Sequence, residues 1–195
     1  MPGHHRSGRH AQANRNGGKP GRFVMWRTGL STLGKFPLST LLEGSLEDSH
    51  GPYVEILDGD EVENGLSRDL GLSKEDREEQ TKRVSYVARV LARNDVVAIV
   101  ALISPYPKSR AEAREMIGPK KFVEVYIRAP LDVCTARDPK GLYARALRGE
   151  ITNMTGIQDP YEAPERPDLM IDTSESTPEA SVDELITGLR RLGRI

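Results

Sequence analysis

The chain has 195 residues, 29% of them charged, with a net charge of −1 and a single cysteine. This length suits one α/β domain with a full core, and the charge balance excludes bulk attraction to nucleic acid or a membrane. Cys134 alone cannot form an intrachain disulfide, no run is long enough for a membrane span, and no signal-peptide core precedes the first apolar run, so the expected location is cytoplasmic.

Residues 1–21 are rich in Gly, Arg, Asn and His and hold no acidic residue, so a disordered basic tail is expected, followed by one domain over 22–195. A basic arm for a partner and a metal site from His4, His5 and His10 stay open beside a merely solvated tail. Strands are predicted at Phe23–Thr28, Tyr53–Leu57, Val96–Ile103, Phe122–Ile127 and Leu169–Ile171. The third is continuously apolar, as a strand buried on both faces of a parallel sheet should be. Helical patterns lie between them at 37–48, 74–93, 108–117, 131–136, 141–148 and 178–192. Ser73 with Asp76 reads as a capping pair for the longest, and Thr177-Pro178 as the cap of the last. Alternating strands and helices predict a parallel sheet with right-handed crossovers.

Between the first strand and first helix stands Gly29-Leu-Ser-Thr-Leu-Gly34-Lys35-Phe36. Two glycines and a lysine in that context fit a phosphate-binding loop, whose backbone N–H groups and helix N-terminus attract anions. A Ser or Thr should follow the lysine, and Phe36 stands there instead. At the end of the second strand, Asp58-Gly59-Asp60 offers two carboxylates that could hold Mg²⁺ or accept a hydroxyl proton. The same residues also read as an Asp-Gly turn with Asp60 as an N-cap. Ile103-Ser104-Pro105-Tyr106 closes the third strand, either as a site element or a plain turn. Arg137-Asp138-Pro139-Lys140 reads either as a two-cation lid or as a salt-bridged helix joint.

Taken in order, L-D-G-D at 57–60, G-L-S-x-D-L-G at 65–71, D-R at 76–77, I-S-P-Y at 103–106, A-R-D-P-K-G-L-Y at 136–143 and T-G-I-x-D-P-Y-E at 155–162 resemble the adenylylsulfate kinase family. The resemblance runs from about Phe23 to the last helix. It implies a P-loop kinase fold, a five-stranded parallel sheet of order 2-3-1-4-5 flanked by helices. It implies ATP and Mg²⁺ as cofactors, with Gly29, Ser31, Gly34, Lys35, Arg137 and Lys140 around the nucleotide. Lys35, Asp60 and Ser104 would be catalytic, with Asp60 the one candidate metal residue. Asp58, Arg77, Ile103, Ser104, Met154 and Thr155 would meet the small-molecule substrate. A homodimer is implied by the same analogy.

Several positions depart from the family pattern. Thr32 replaces a loop glycine, Phe36 replaces the metal-binding hydroxyl, and Pro37 lacks an N–H for phosphate. Ser39 and Thr40 lie about 5–6 Å further along the helix, too far for direct rescue. Glu63 stands where an Arg helps hold the anionic substrate. A charge ~5 Å from an anion is worth ~3 kcal/mol at an effective dielectric of 20. Gln80, Pro107, Thr152, Met154 and Gln158 also differ. The expectation is adenylylsulfate kinase activity with impaired turnover. A non-catalytic relative used for assembly or nucleotide sensing, and a kinase for another acceptor, stay open.

Overall fold

The computed structural model describes residues 22–31, 35–46 and 53–195. Strands β1 (Val24–Thr28), β2 (Tyr53–Asp58), β3 (Val96–Ala101), β4 (Phe122–Arg128) and β5 (Leu169–Asp172) form one parallel sheet in the order β2-β3-β1-β4-β5. The connecting helices are α1 (Lys35–Leu46), α2 (Gly59–Asn64), α3 (Lys74–Arg93), α4 (Pro107–Ile117), α5 (Leu131–Arg137), α6 (Leu142–Leu147) and α7 (Pro178–Arg191).

Strand alternation sorts β1 between two cores. Phe23 and Met25 pack with Leu38 and Leu42 of α1 and Leu185 and Leu189 of α7. Val24 and Trp26 pack on the opposite side with Val84 and Ala88 of α3 and Phe122 of β4. Trp26 is fully buried and its ring stacks on Phe122 at 5.7 Å. Truncating such a side chain costs about 3–5 kcal/mol, so this pair anchors the middle of the sheet. Because all strands run the same way, their carboxyl ends meet at one edge, where ligands of open α/β sheets bind.

Local signals account for most boundaries. The Ser73 hydroxyl accepts the Asp76 N–H and donates to the Asp76 carboxylate, which starts α3 where the sequence predicts it. The Thr177 hydroxyl caps α7 by accepting from Ala180 N–H, with Pro178 at the first helical position.

Three expectations need correction. Helix α1 starts at Lys35, not at 37, since Pro37 in a first turn forfeits an N–H that has no intrahelical acceptor anyway. Helix α2 was not predicted, and its N-cap is Asp58 rather than Asp60: the Asp58 carboxylate accepts the Asp60 N–H at 3.1 Å. Strand β3 stops at Ala101, two residues short of Ile103. The expected tail, residues 1–21, lies outside the described residues.

Candidate active site

A cavity of about 380 Å³ opens at the carboxyl edge of the sheet. Ser31, Asp58, Asp60, Arg77, Ile103, Ser104, Lys140 and Met154, all expected from sequence to serve the site, line it together. Gly34 lies outside the described residues, and Lys35 and Phe36 are described only as the opening of α1. Gly29 follows β1 with a φ of 152°, and its N–H donates to the Ile103 carbonyl at 3.3 Å, which ties the end of β1 to the segment after β3.

Each wall of the cavity has a physical cause. Asp58 ends β2, and its capping bond to Asp60 N starts α2, so two carboxylates sit side by side. Asp60 also pairs with the Lys140 ammonium, which reaches it from the joint between α5 and α6. That contact joins the lid candidate to the base candidate across 80 residues of chain. On α3, Arg77 is buried, and it donates from Nε to the Leu72 carbonyl and from Nη2 to the Asn153 carbonyl, both at 3.2 Å. Burial lowers its pKa, while Tyr106, Glu63 and Asp159 work against that shift.

Glu63 and Gln80 complete this wall. The Glu63 residue is solvent-accessible as a whole, yet desolvation of its carboxyl against the wall pushes its pKa up. The bond to Gln80 opposes that rise, neighbouring Asp60 adds to it, and Arg77 and Lys140 pull it down. An anionic guest therefore meets the carboxylates of Asp58, Asp60 and Glu63 together with the cations Arg77 and Lys140.

Ser104 is held from three directions. It sits in the left-handed region at φ 44°, uncommon for a residue other than glycine. Its hydroxyl accepts the Trp26 indole N–H at 3.1 Å, and its carbonyl accepts from Arg110 Nη1 at 2.8 Å and from Thr28 Oγ1 at 3.2 Å. A strained residue persists only where its surroundings over-determine it, and such residues cluster at active sites.

Sequence reasoning missed Arg110. It is 3% exposed, pairs with Glu124 at 2.9 Å and donates to the Glu162 carbonyl at 2.9 Å. The available signal was its position on α4 in line with Ala113 and Ile117, an i, i+3, i+7 row that faces the core.

Besides Gly29, two expected residues, Arg137 and Thr155, stand apart from the cavity wall. Arg137 donates to the Thr173 and Ser174 carbonyls at 2.7 and 2.8 Å, fastening α5 to the end of β5. Thr155 is fully buried, and its hydroxyl finds no hydrogen-bond partner among the described residues. Its neighbour Met154 is also buried, and the Met154 N–H donates to the Gln158 side chain at 2.9 Å. Gln158 Nε2 in turn donates to the Ala146 carbonyl at 3.1 Å, so the glutamine staples this loop to α6.

The donor set does not fit a Mg²⁺ held by protein ligands. Asp60 is paired with Lys140, Asp58 caps α2, and no group of three His, Cys, Asp or Glu that could hold a metal occurs among the described residues. In the sequence, the residue after Lys35 is Phe36, which offers no oxygen ligand.

A parallel sheet of this order, with a glycine-bounded loop running into α1 and a carboxylate-lined cavity at the strand ends, defines a kinase of the P-loop class. Comparison with known proteins narrows it. The chain matches the family model for adenylylsulphate kinase over residues 21–172. An adenylyl-sulfate kinase of Halothermothrix orenii is 50% identical over 172 residues, covering 88% of this chain and 91% of the relative. One from Myxococcus xanthus is 48% identical over 178 residues, covering 90% and 95%. The structure of the Mycobacterium tuberculosis APS kinase in complex with AMPPNP and APS superposes with a TM-score of 0.83 at 40% identity, covering 88% of this chain and 99% of that one. The chain belongs to the adenylylsulfate kinase family.

Proposed function

We propose that this protein is an ATP-dependent adenylylsulfate kinase that converts ATP and adenylylsulfate into ADP and 3′-phosphoadenylylsulfate. The observation that carries the reading is the convergence of Asp58, Asp60, Arg77, Ser104 and Lys140 on one cavity beside the β1–α1 loop. Lys35 and the loop N–H groups take the β- and γ-phosphates. Arg77 and the wall from Ile103 to Ser104 orient the acceptor, with Met154 closing the far side. Lys140 pairs with Asp60, and an incoming polyphosphate competes for that ammonium and frees the carboxylate. Asp60 then accepts the proton of the 3′-hydroxyl. The acceptor oxygen forms a bond to the γ-phosphorus, the bond from that phosphorus to the β–γ bridging oxygen breaks, and ADP leaves with the electron pair.

Mg²⁺ belongs to this reading as a partner of the nucleotide's own phosphates and water, a common habit of that ion. Thr32, Phe36 and Pro37 make turnover slower than a complete loop would allow. A homodimer is part of the same reading and is checked by sedimentation velocity. No described helix is long and apolar enough to cross a membrane, which is compatible with a cytoplasmic setting. The test is incubation with ATP, Mg²⁺ and adenylylsulfate, with chromatographic detection of 3′-phosphoadenylylsulfate. Product that disappears in Lys35→Ala supports the assignment. No product from folded protein refutes it.

A further inference from the structure

The chain has a single tryptophan, Trp26, fully buried in the core beside α3, where its ring stacks on Phe122 at 5.7 Å. A phenylalanine would meet the needs of that stack. What the indole adds is one N–H, and it donates to the Ser104 hydroxyl at 3.1 Å, across 78 residues of chain.

An indole N–H donates and cannot accept, so the direction of this bond is fixed. It occupies one acceptor site of Ser104 Oγ and turns the hydroxyl hydrogen away from the ring. The remaining side-chain bonds to Ser104, from Thr28 and Arg110, run to its carbonyl. Among the described residues, then, no acceptor takes the Ser104 hydroxyl hydrogen. Ser104 is 4% exposed, and a buried donor left unpaired costs free energy. The residue also lines the cavity at the carboxyl edge of the sheet, beside Ile103 and Pro105. A guest in that cavity can supply the acceptor. The strained φ of 44°, held by the bonds to the carbonyl, keeps the hydroxyl from turning cheaply to another partner. An oxygen that already accepts a hydrogen bond donates more strongly, so the Trp26 bond polarises Ser104 toward the guest.

We propose that Trp26 is a positioning residue that commits the Ser104 hydroxyl to donating its hydrogen to an oxygen of bound adenylylsulfate. The inference rests on the kinase reading and divides the labour at the site. Ser104 holds the acceptor molecule as a donor, and Asp60 takes the proton of the reacting hydroxyl. Trp26 itself is not among the residues that line the cavity, so it acts through Ser104.

Because Trp26 is the one tryptophan, its emission reports on this bond without a label. The test titrates the full-length protein with adenylylsulfate and follows calorimetric heat and tryptophan emission together. Saturation should shift the emission of wild type. In Ser104→Ala, at saturation, the shift should fall to less than about a fifth, since no hydroxyl then links ring to ligand. Calorimetry completes a double-mutant cycle. Trp26→Phe and Ser104→Ala should each weaken adenylylsulfate binding about three- to tenfold, the worth of one neutral hydrogen bond, and leave ATP affinity within about twofold. The double variant should bind no more weakly than Ser104→Ala alone. A packing role for Trp26 predicts effects that multiply, and that result overturns the proposal. So does an equal emission shift in wild type and Ser104→Ala, an arm that needs no folded Trp26→Phe. Titrations with adenosine and AMP locate the accepting oxygen: a Ser104-dependent shift with adenosine places it on the ribose, and one that needs the phosphosulfate places it there. Folded wild type that binds no adenylylsulfate defeats the kinase reading itself, whereas binding without the Ser104-dependent shift defeats this inference alone.

Discussion

Replacing Arg110 by Met keeps much of the length of the side chain and removes every charged contact it makes. Three bonds disappear: Nε to Glu124 at 2.9 Å, Nη1 to the Ser104 carbonyl at 2.8 Å and Nη2 to the Glu162 carbonyl at 2.9 Å. Glu124 is left buried with only Arg114, whose Nη2 stands 3.4 Å away and already serves Asp168 at 2.8 Å. Removing one partner of a buried ion pair costs about 3–5 kcal/mol, mostly from the charge left behind. A domain of this size loses roughly 2–4 °C of melting temperature per kcal/mol, which puts the drop at about 6–20 °C. Scanning calorimetry reads it directly. Adding Glu124→Gln should recover part of the loss, since the orphaned charge goes too. The catalytic consequence is separate: Ser104 and the 159–162 loop lose their shared bolt, so KM for the acceptor should rise more than KM for ATP. A melting temperature within about 2 °C of wild type would refute the reasoning that this network holds the acceptor wall.

Glu63→Gln should lower KM for adenylylsulfate severalfold, because it removes a carboxylate from the wall an anion must face; steady-state kinetics measure it, and an unchanged KM would deny Glu63 a place at the acceptor. The same variant carries a pH signature. Burial raises the Glu63 pKa above its ordinary 4.5, so below that value the group is neutral in both states and costs nothing. As pH rises through the ordinary value the unfolded chain ionises first, and stability falls until the folded carboxyl ionises as well. Glu63→Gln should therefore raise the melting temperature at about pH 7.5 and leave it unchanged at about pH 4. The double change Phe36→Ser with Pro37→Thr restores a hydroxyl at the metal position, and calorimetry should find tighter Mg-ATP binding. Unchanged affinity would count against the account of the loop.

The sheet was legible because its strands are short, apolar and separated by helices of matching period. β3 is the plainest case: Val97, Ala98, Ile99 and Val100 are all buried, as an uninterrupted apolar run between two helical layers must be. α3 was readable at both ends, since its cap is a local bond that the sequence itself displays. α2 was not readable. It has six residues, buries only Val62, and begins with a glycine after an aspartate, so turn chemistry and helix capping look the same from sequence. The site's first layer followed from motif order, and Asp58, Asp60, Arg77, Ser104 and Lys140 meet as expected. Its supporting layer was missed, because a charged residue in a core-facing row reads as a solvated one unless its row is traced, as the row of Arg110 with Ala113 and Ile117 shows. Arg110 sits in a helix rich in charge, and the fold encloses it.

The central claim is that Asp60, freed from Lys140, takes the proton of the acceptor hydroxyl. The most direct measurement is the rate of γ-phosphoryl transfer from ATP to adenylylsulfate by Asp60→Asn beside wild type, with adenylylsulfate binding followed in parallel. The account predicts a fall of about two to four orders of magnitude in rate with binding retained. Transfer by Asp60→Asn at the wild-type rate would contradict it.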